Sequence, residues 1–566
     1  MKVRGLAIRL ISALTVVLLT GAAGIPASQA QETGTCEPAR AEAFLETQRV
    51  RARIVNDGGL FYRGVQGGDA PGYELPRGSG LDLIPSAAIW MGGLVDGQLH
   101  FAHSVPFSQR REFWPGPIRG DGVPPVDCAP YDRVWSVSRD EVEAYERYGL
   151  TTADLAEWPT GLGAPTWGVD GNLVEVMDQP LSARRHRVID LEAGERPAIT
   201  GDAMAWWIMN DLGGPHPVWV PRGDAVAGPP LGVEVHGSAF GYNSPGAIGN
   251  ATFFRLRIFN RRGVPVEQMY FGVHLNPDVG DDSDDLVGAD SVAGLAYAYN
   301  AYDIDRQFRT PPPAVGLDFF QGADGKSDGI DNNLDGVVDE AGERTRMSAA
   351  FFRQYEEFFV HTPEDHYGYM RGRNRGGDRF RECFTGPVTR FFYPADPPAY
   401  CSMAYFGNSG GAREFVASTG PFRLSVEEPQ EVVFGVVTSF GADHLDSVRQ
   451  LKEDDAFIQQ LADGGLFQPS GSAVPAMKEE PGLSVFAHPV PASDLVTLRF
   501  RLPQAMSVDV SVFDLLGRIR VARNLGRLDA GDHRHSLDVS GWAPGVYLVR
   551  FRLDHHHAVR RIVVAR

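Results

Sequence analysis

The sequence predicts a mostly β protein: a β-rich body with few helices, then a C-terminal immunoglobulin-like antiparallel β-sandwich. Glycine (65) and proline (40) are abundant together in 566 residues, which favours turns and short strands over long helices. Apolar residues alternate with a period of two in several short runs, the mark of half-buried strands. A sustained helical period is clearest in one place, residues 444–465. The length exceeds that of one compact domain and suggests about two to four.

Residues 1–30 are predicted to be a signal peptide. Lys2, Arg4 and Arg9 precede an apolar stretch to about Leu19, and Ser28 and Ala30 occupy the −3 and −1 places of a signal-peptidase site. Lys and Arg total 53 against 72 Asp and Glu, a net charge of −19. The leader carries three bases and no acid, so its removal takes the chain to −22. Such a charge repels phosphate backbones and anionic lipid, which excludes nucleic acid as a partner. Four cysteines, Cys36, Cys128, Cys383 and Cys401, fit two disulfides in an exported protein. Cys36–Cys128 and Cys383–Cys401 are the nearest pairs along the chain, among three possible connectivities.

The body is assigned to residues 31–465, with two or more subdomains expected. "RDEVEAYERYG" (139–149) and "SAAFFRQYEEFF" (348–359) predict short helices. "NATFFRLRIFNRR" (250–262) alternates Phe254, Leu256 and Ile258, and "EVVFGVVTSFG" (431–441) is a β-branched run of the buried-strand type. "AMAWWIMND" (203–211) offers Trp206 and Trp207 either as a sugar-stacking platform or as core, with core the commoner explanation. In "HLDSVRQLKEDDAFIQQLADGG", Val448, Leu451, Ile458 and Leu461 share one helical face, and Gly464 and Gly465 stop the helix.

Residues 466–483, rich in Gly, Pro, Ser and charge, read as a linker. From 484 to 566 the alternation sharpens: Val496, Leu498, Phe500 and Leu502; Val508, Val510 and Val512; Tyr547, Val549, Phe551 and Leu553. Turn residues intervene at Gly517, Gly531 and Gly545, the spacing of a small antiparallel sandwich. Residues 481–566 hold twelve Arg and seven Asp with no Lys or Glu, a basic tail on an acidic body. "HPVPASDLVTLRFRLP", "VSVFDLLGR", "LDAGDHRHSLDVSGWAPGVYLVRF" and "AVRRIVVAR" resemble the C-terminal sorting domain of type IX secretion, with Val490 where that family usually has Asn. The resemblance implies passage by Sec to the periplasm, engagement of the type IX machinery, and release or attachment at the outer surface. "GGLFYRGV", "AAIWMGGLVDGQL", "FWPGPI" and "DLVGADSVAGLAYAYN" in the body resemble a recurrent group of large type IX cargo proteins, which implies no particular activity.

The chemistry-bearing stretch is "DGIDNNLDGVVDE" (328–340). Asp331, Asn333 and Asp335 stand at alternate positions before Gly336, so their short oxygen side chains can converge on a hard cation. Asp339 and the Val337 carbonyl complete a candidate calcium site like the short loops of thrombospondin type 3 and dockerin-like repeats. An EF-hand is excluded, because Gly342 stands where its bidentate Glu belongs. A second, weaker cluster comprises Asp278, Asp281, Asp284, Asp285 and Asp290, where calcium or solvation would relieve the crowding. "GNSGG" (407–411) matches a nucleophile elbow around Ser409, but the residues after it read as strand rather than helix. "HHH" (555–557) sits where the last two strands should turn. The sequence therefore predicts an exported, calcium-stabilised binding or surface component with a glycan or protein ligand, and as the alternative a secreted hydrolase of polysaccharide or protein.

Overall fold

A computed structural model describes residues 34–62, 71–104, 111–119, 122–123, 127–174, 176–177, 181–216, 228–244, 246–309, 311–325, 338, 344–354, 362–406, 410–469, 484–488, 492–502, 504–514, 519–543, 545–553 and 556–564. The chain is mostly β. Two nine-stranded sheets carry the body. The first runs in the order Glu42–Glu46, Arg51–Val55, Gly59–Leu60, Ser86–Val95, Val266–Asn276, Arg413–Leu424, Met347–Gln354. The second centres on Ala203–Asn210, Val233–Gly241, Ala251–Asn260, Gln430–Ser439 and Ala314–Gln321.

Period-two alternation explains how the sheets pack. Along Val266–Asn276, Phe271, Val273 and Leu275 face the second sheet, where Phe271 meets Phe434 at 5.9 Å and Phe319 at 6.1 Å between ring centroids. Trp206 and Trp207 are both buried, so this run is core and not a stacking platform. Each sheet then has an outer face to cover. The helix His444–Asp463 lies on the second sheet and buries Val448, Leu451, Ile458 and Leu461, as its period predicts. The helix Pro363–Met370 lies on the first, over Trp90, Phe101, Tyr270, Phe351 and Val416. Gly272 allows that approach, since a Cβ there would stand 2.8 Å from the Met370 sulfur.

The helix expected at 139–149 forms as Arg139–Tyr148. Ser138 and Glu141 make a reciprocal capping box, and Gly149 ends the helix in the left-handed conformation at φ 69°. The helix expected at 348–359 is corrected: Met347–Gln354 is a strand, paired antiparallel with Gln354 opposite Arg413 and Ala350 opposite Ala417. Non-local pairing outweighs local helical propensity there. Residues 355–361 lie outside the described residues. In the C-terminal part, a three-stranded and a four-stranded antiparallel sheet enclose their own core of Val496, Leu498, Phe500, Val508, Val510, Val549 and Phe551. That core is separate from the body's.

Candidate functional site

The predicted calcium ligands Asp331, Asn333, Asp335, Val337 and Asp339 lie outside the described residues, as do Ser409 and His555. The element downstream of Ser409 is the strand Arg413–Leu424, not the helix that a nucleophile elbow requires. The structure pairs Cys36 with Cys128 and Cys383 with Cys401, at Cα separations of 5.5 and 5.1 Å.

The second acidic cluster is only partly brought together. Asp278, Asp281 and Asp284 occupy the loop leading into the strand Asp285–Asp290. Protein donors reach Asp281 and Asp284. Arg306 pairs with Asp281 at 2.9 Å, and the Asn300 amide donates to Asp284 at 3.2 Å and to Asp305 at 3.3 Å. Asp290 stands apart at the far end of the strand, where the Lys452 ammonium donates to it at 2.8 Å. Burial raises the Asp290 carboxyl, but the Ala293 N–H and Lys452 outweigh burial and hold it below the usual range. Asp285 is the exception. It is fully buried, one oxygen accepts from the Val279 N–H at 3.2 Å, and the other has no hydrogen-bond partner. Burial, then the nearby Asp278 carboxylate, push its carboxyl well above the ordinary value. Among the described residues, three ligand-type atoms converge at Asp303, Asp443 and His444, a group with both aspartates exposed in which Asp443 already caps the long helix and His444 already pairs with Asp303.

A cavity of about 730 Å³ lies at the edge of the first sheet. Its floor is the edge strand, through Phe351, Phe352 and Arg353, with Arg413 from the neighbouring strand. Its walls come from an excursion that contributes Asn374, Arg379, Phe380, Arg381, Phe391, Phe392, Tyr393 and Met403. The excursion returns along the edge strand, where the Ala350 N–H donates to the Arg390 carbonyl at 3.1 Å. Cys383 and Cys401 both line the space, so their disulfide ties one wall to the other. Rings pack in series: Phe351 on Phe380 at 5.0 Å, Phe352 on Phe392 at 5.3 Å and on Tyr393 at 5.2 Å. Three lining residues hold a left-handed backbone without being glycine: Cys383 (φ 50°), Tyr393 (φ 36°) and Cys401 (φ 81°). Such strain persists only where the surroundings over-determine it, which is common at ligand sites.

The cavity draws on three separate stretches of chain, and the sequence reading missed it. A usable signal existed in "MRGRNRGGDRFREC" (370–383), where five arginines fall in a chain of strongly acidic balance. A second unforeseen group surrounds Trp90: His103 pairs with Glu112 at 2.7 Å, His274 stacks on the indole at 5.5 Å, and His366 lies 4.4 Å away. His103, Glu112, His274 and His366 are all more than nine-tenths buried, His366 from within the helix Pro363–Met370, which makes them packing around Trp90 on the outer face.

The seven-stranded tail decides the route. Residues 486–565 match the secretion system C-terminal sorting domain. The chain carries the sorting tail of a type IX secretion cargo. The sorting domain implies export, with secretion or attachment at the outer surface, and contact with the type IX machinery. No curated protein matches the chain. Among solved structures, a polysaccharide lyase aligns at 10% identity over 58% of this chain and 34% of its own, with a TM-score of 0.17. Dimeric latent PorU from Porphyromonas gingivalis aligns at 9% identity over 64% and 31%, with a TM-score of 0.15. The chain spans about a third of the length of either, and likeness at this level carries no argument about activity.

Proposed function

We propose that the protein is an exported binding component, non-catalytic, whose ligand occupies the cavity at the edge of the first sheet. One observation carries this reading: the cavity's lining holds arginines, aromatic rings, Asn374 and a disulfide, with no carboxylate, imidazole, serine or threonine among the described residues. A glycosidase needs two carboxyl groups flanking the scissile bond, and a serine hydrolase needs a nucleophile beside a base. Tyr393 is the one titratable group besides the arginines in the described lining, and burial raises its hydroxyl pKa, which disfavours the phenolate.

Calcium belongs to the same proposal as a structural ion. Its support at Asp331, Asn333, Asp335, Val337 and Asp339 is the ligand register of the sequence. At the second cluster the fit is poorer, because Asp281, Asp284 and Asp290 are already engaged by Arg306, Asn300 and Lys452. The test is a glycan and peptide array probed with the purified full chain, with and without chelator. Saturable binding without turnover is the expected result; release of product from any arrayed compound would overturn the non-catalytic assignment.

A further inference from the structure

We propose that the cavity takes an acidic saccharide, a sugar unit bearing a carboxylate, held by guanidinium groups at the rim and by aromatic faces within. The inference rests on the binding reading above and adds the class of ligand. Its first support is charge. Four arginines line the cavity, and no acid does among the described residues. Arg379 and Arg381 are exposed at its mouth. Arg379 makes no ion pair among the described residues, and the Arg381 guanidinium donates to the Gly386 carbonyl at 3.1 Å. Residues 371–390 hold six arginines against Asp378 and Glu382, within a chain whose net charge is −19. Concentrating cations at one cleft of an acidic protein creates a local attraction that the rest of the surface opposes. Guanidinium forks match carboxylate oxygens in pairs, which adds geometric selection to the attraction.

The second support is the apolar part of the lining. Phe380, Phe391 and Tyr393 are half-buried, so their rings reach the space while packed from behind. Rings in this arrangement suit a ligand with a flat C–H face and polar edges, as a pyranose has; an extended acidic peptide offers charge without that face. The volume, about 730 Å³, falls in the range of small-ligand clefts and admits a short saccharide segment. The third support is rigidity. The disulfide and three left-handed residues fix the walls before a ligand arrives, which reduces the ordering that binding requires.

The test is calorimetric titration of the full chain with three probes: a tetramer of galacturonic acid, its methyl ester, and hexaglutamate. The expected result is binding of the acid tetramer at least tenfold tighter than either of the others. The double variant Arg379→Gln/Arg381→Gln should weaken it at least tenfold with unchanged melting temperature, and Phe380→Ala should weaken tetramer and ester alike. The assignment is overturned by absence of heat with the tetramer, by an ester that binds as tightly, by indifference of the double variant, or by hexaglutamate as the tighter ligand. A neutral glycan that binds and is displaced by cavity variants would remove the acidic class while leaving the binding role intact. Turnover on the array would remove the binding role itself.

Discussion

Asp455 provides the sharpest test of the packing. It sits on the helix His444–Asp463, 1% exposed, against the strand Ala314–Gln321, which carries Asp318 at 2% exposure. One Asp455 oxygen has no hydrogen-bond partner. Burial, then the charges of Asp290 and Asp454, push its carboxyl from 3.8 up to about 8. Burial and Asp455 likewise push Asp318 well above its ordinary value, with Arg346 opposing. A carboxyl whose folded pKa stands above its unfolded one costs stability once the pH passes the unfolded value. The penalty therefore begins near pH 4, grows by about 1.4 kcal/mol per pH unit, and levels off near pH 8. At pH 7 it amounts to about 4 kcal/mol. Asp455→Asn removes it, but leaves a buried amide short of a partner at a cost of about 1–2 kcal/mol. The expected net gain at pH 7 is about 2–3 kcal/mol, a rise of roughly 3 °C in Tm for a body of this size. At pH 4 the gain should vanish or reverse. Calorimetric melts of both proteins at pH 4, 5.5, 7 and 8.5 measure the difference directly. A gap that is constant across that range would refute the buried-charge reasoning.

The same helix should lose about 3 kcal/mol on Leu451→Ala, because the side chain is fully buried against the second sheet; a lower urea midpoint with unchanged slope checks this. Cys401→Ser opens a disulfide that spans 18 residues and releases about 3 kcal/mol of loop constraint. Faster tryptic cleavage at Arg379–Arg390 with little change in body Tm is expected, whereas global unfolding would contradict a peripheral staple. Chelation of divalent ions should lower Tm by several degrees, and Asp331→Asn/Asp335→Asn should abolish that response; a chelator-insensitive wild type would rule out structural calcium. Affinity for the galacturonate tetramer should rise from about 0.01 M to 0.1 M salt and fall beyond it, because the screening length shrinks from about 30 to 10 Å and removes the acidic body's repulsion before it weakens the close arginine contacts. A monotonic fall would show that the body's charge is not felt at the cleft.

The strands that build the two sheets were legible because their signal is local. Phe254, Leu256 and Ile258 alternate, and Val432, Val433, Phe434, Val436 and Val437 form the continuous apolar run of a strand buried on both faces. The long helix was legible for the same reason, and its apolar face also contains Asp455, spaced four after Leu451 and three before Ile458. An acid on that face was a readable anomaly. Residues 348–354 were misread because Ala, Phe and Arg there fit either period, and only the register with Arg413–Leu424 decides between them. Of the cavity only the arginine-rich stretch at 370–383 was legible, since Arg353, Phe380 and Arg413 meet only through sheet order and a disulfide.

The position of that cavity reflects a problem every open sheet must solve. An edge strand exposes unpaired N–H and C=O groups, which invite aggregation unless something covers them. Here the excursion returns alongside Met347–Gln354, and Ala350 bridges to Phe391 in parallel, so the edge is capped by irregular chain instead of another full strand. Irregular chain cannot lie flush on a pleated edge, so space remains beside Phe352, and the disulfide keeps it from collapsing or swinging open. Arginines in that cover serve two ends at once: the like charges of all six resist edge-to-edge pairing between copies, and the two that line the space, Arg379 and Arg381, make it an anion-seeking cleft. Binding and solubility are thus coupled in the same residues. Neutralising Arg379 and Arg381 together should therefore weaken ligand binding and raise self-association, and a purely ligand-directed role for these side chains would leave the second quantity unmoved.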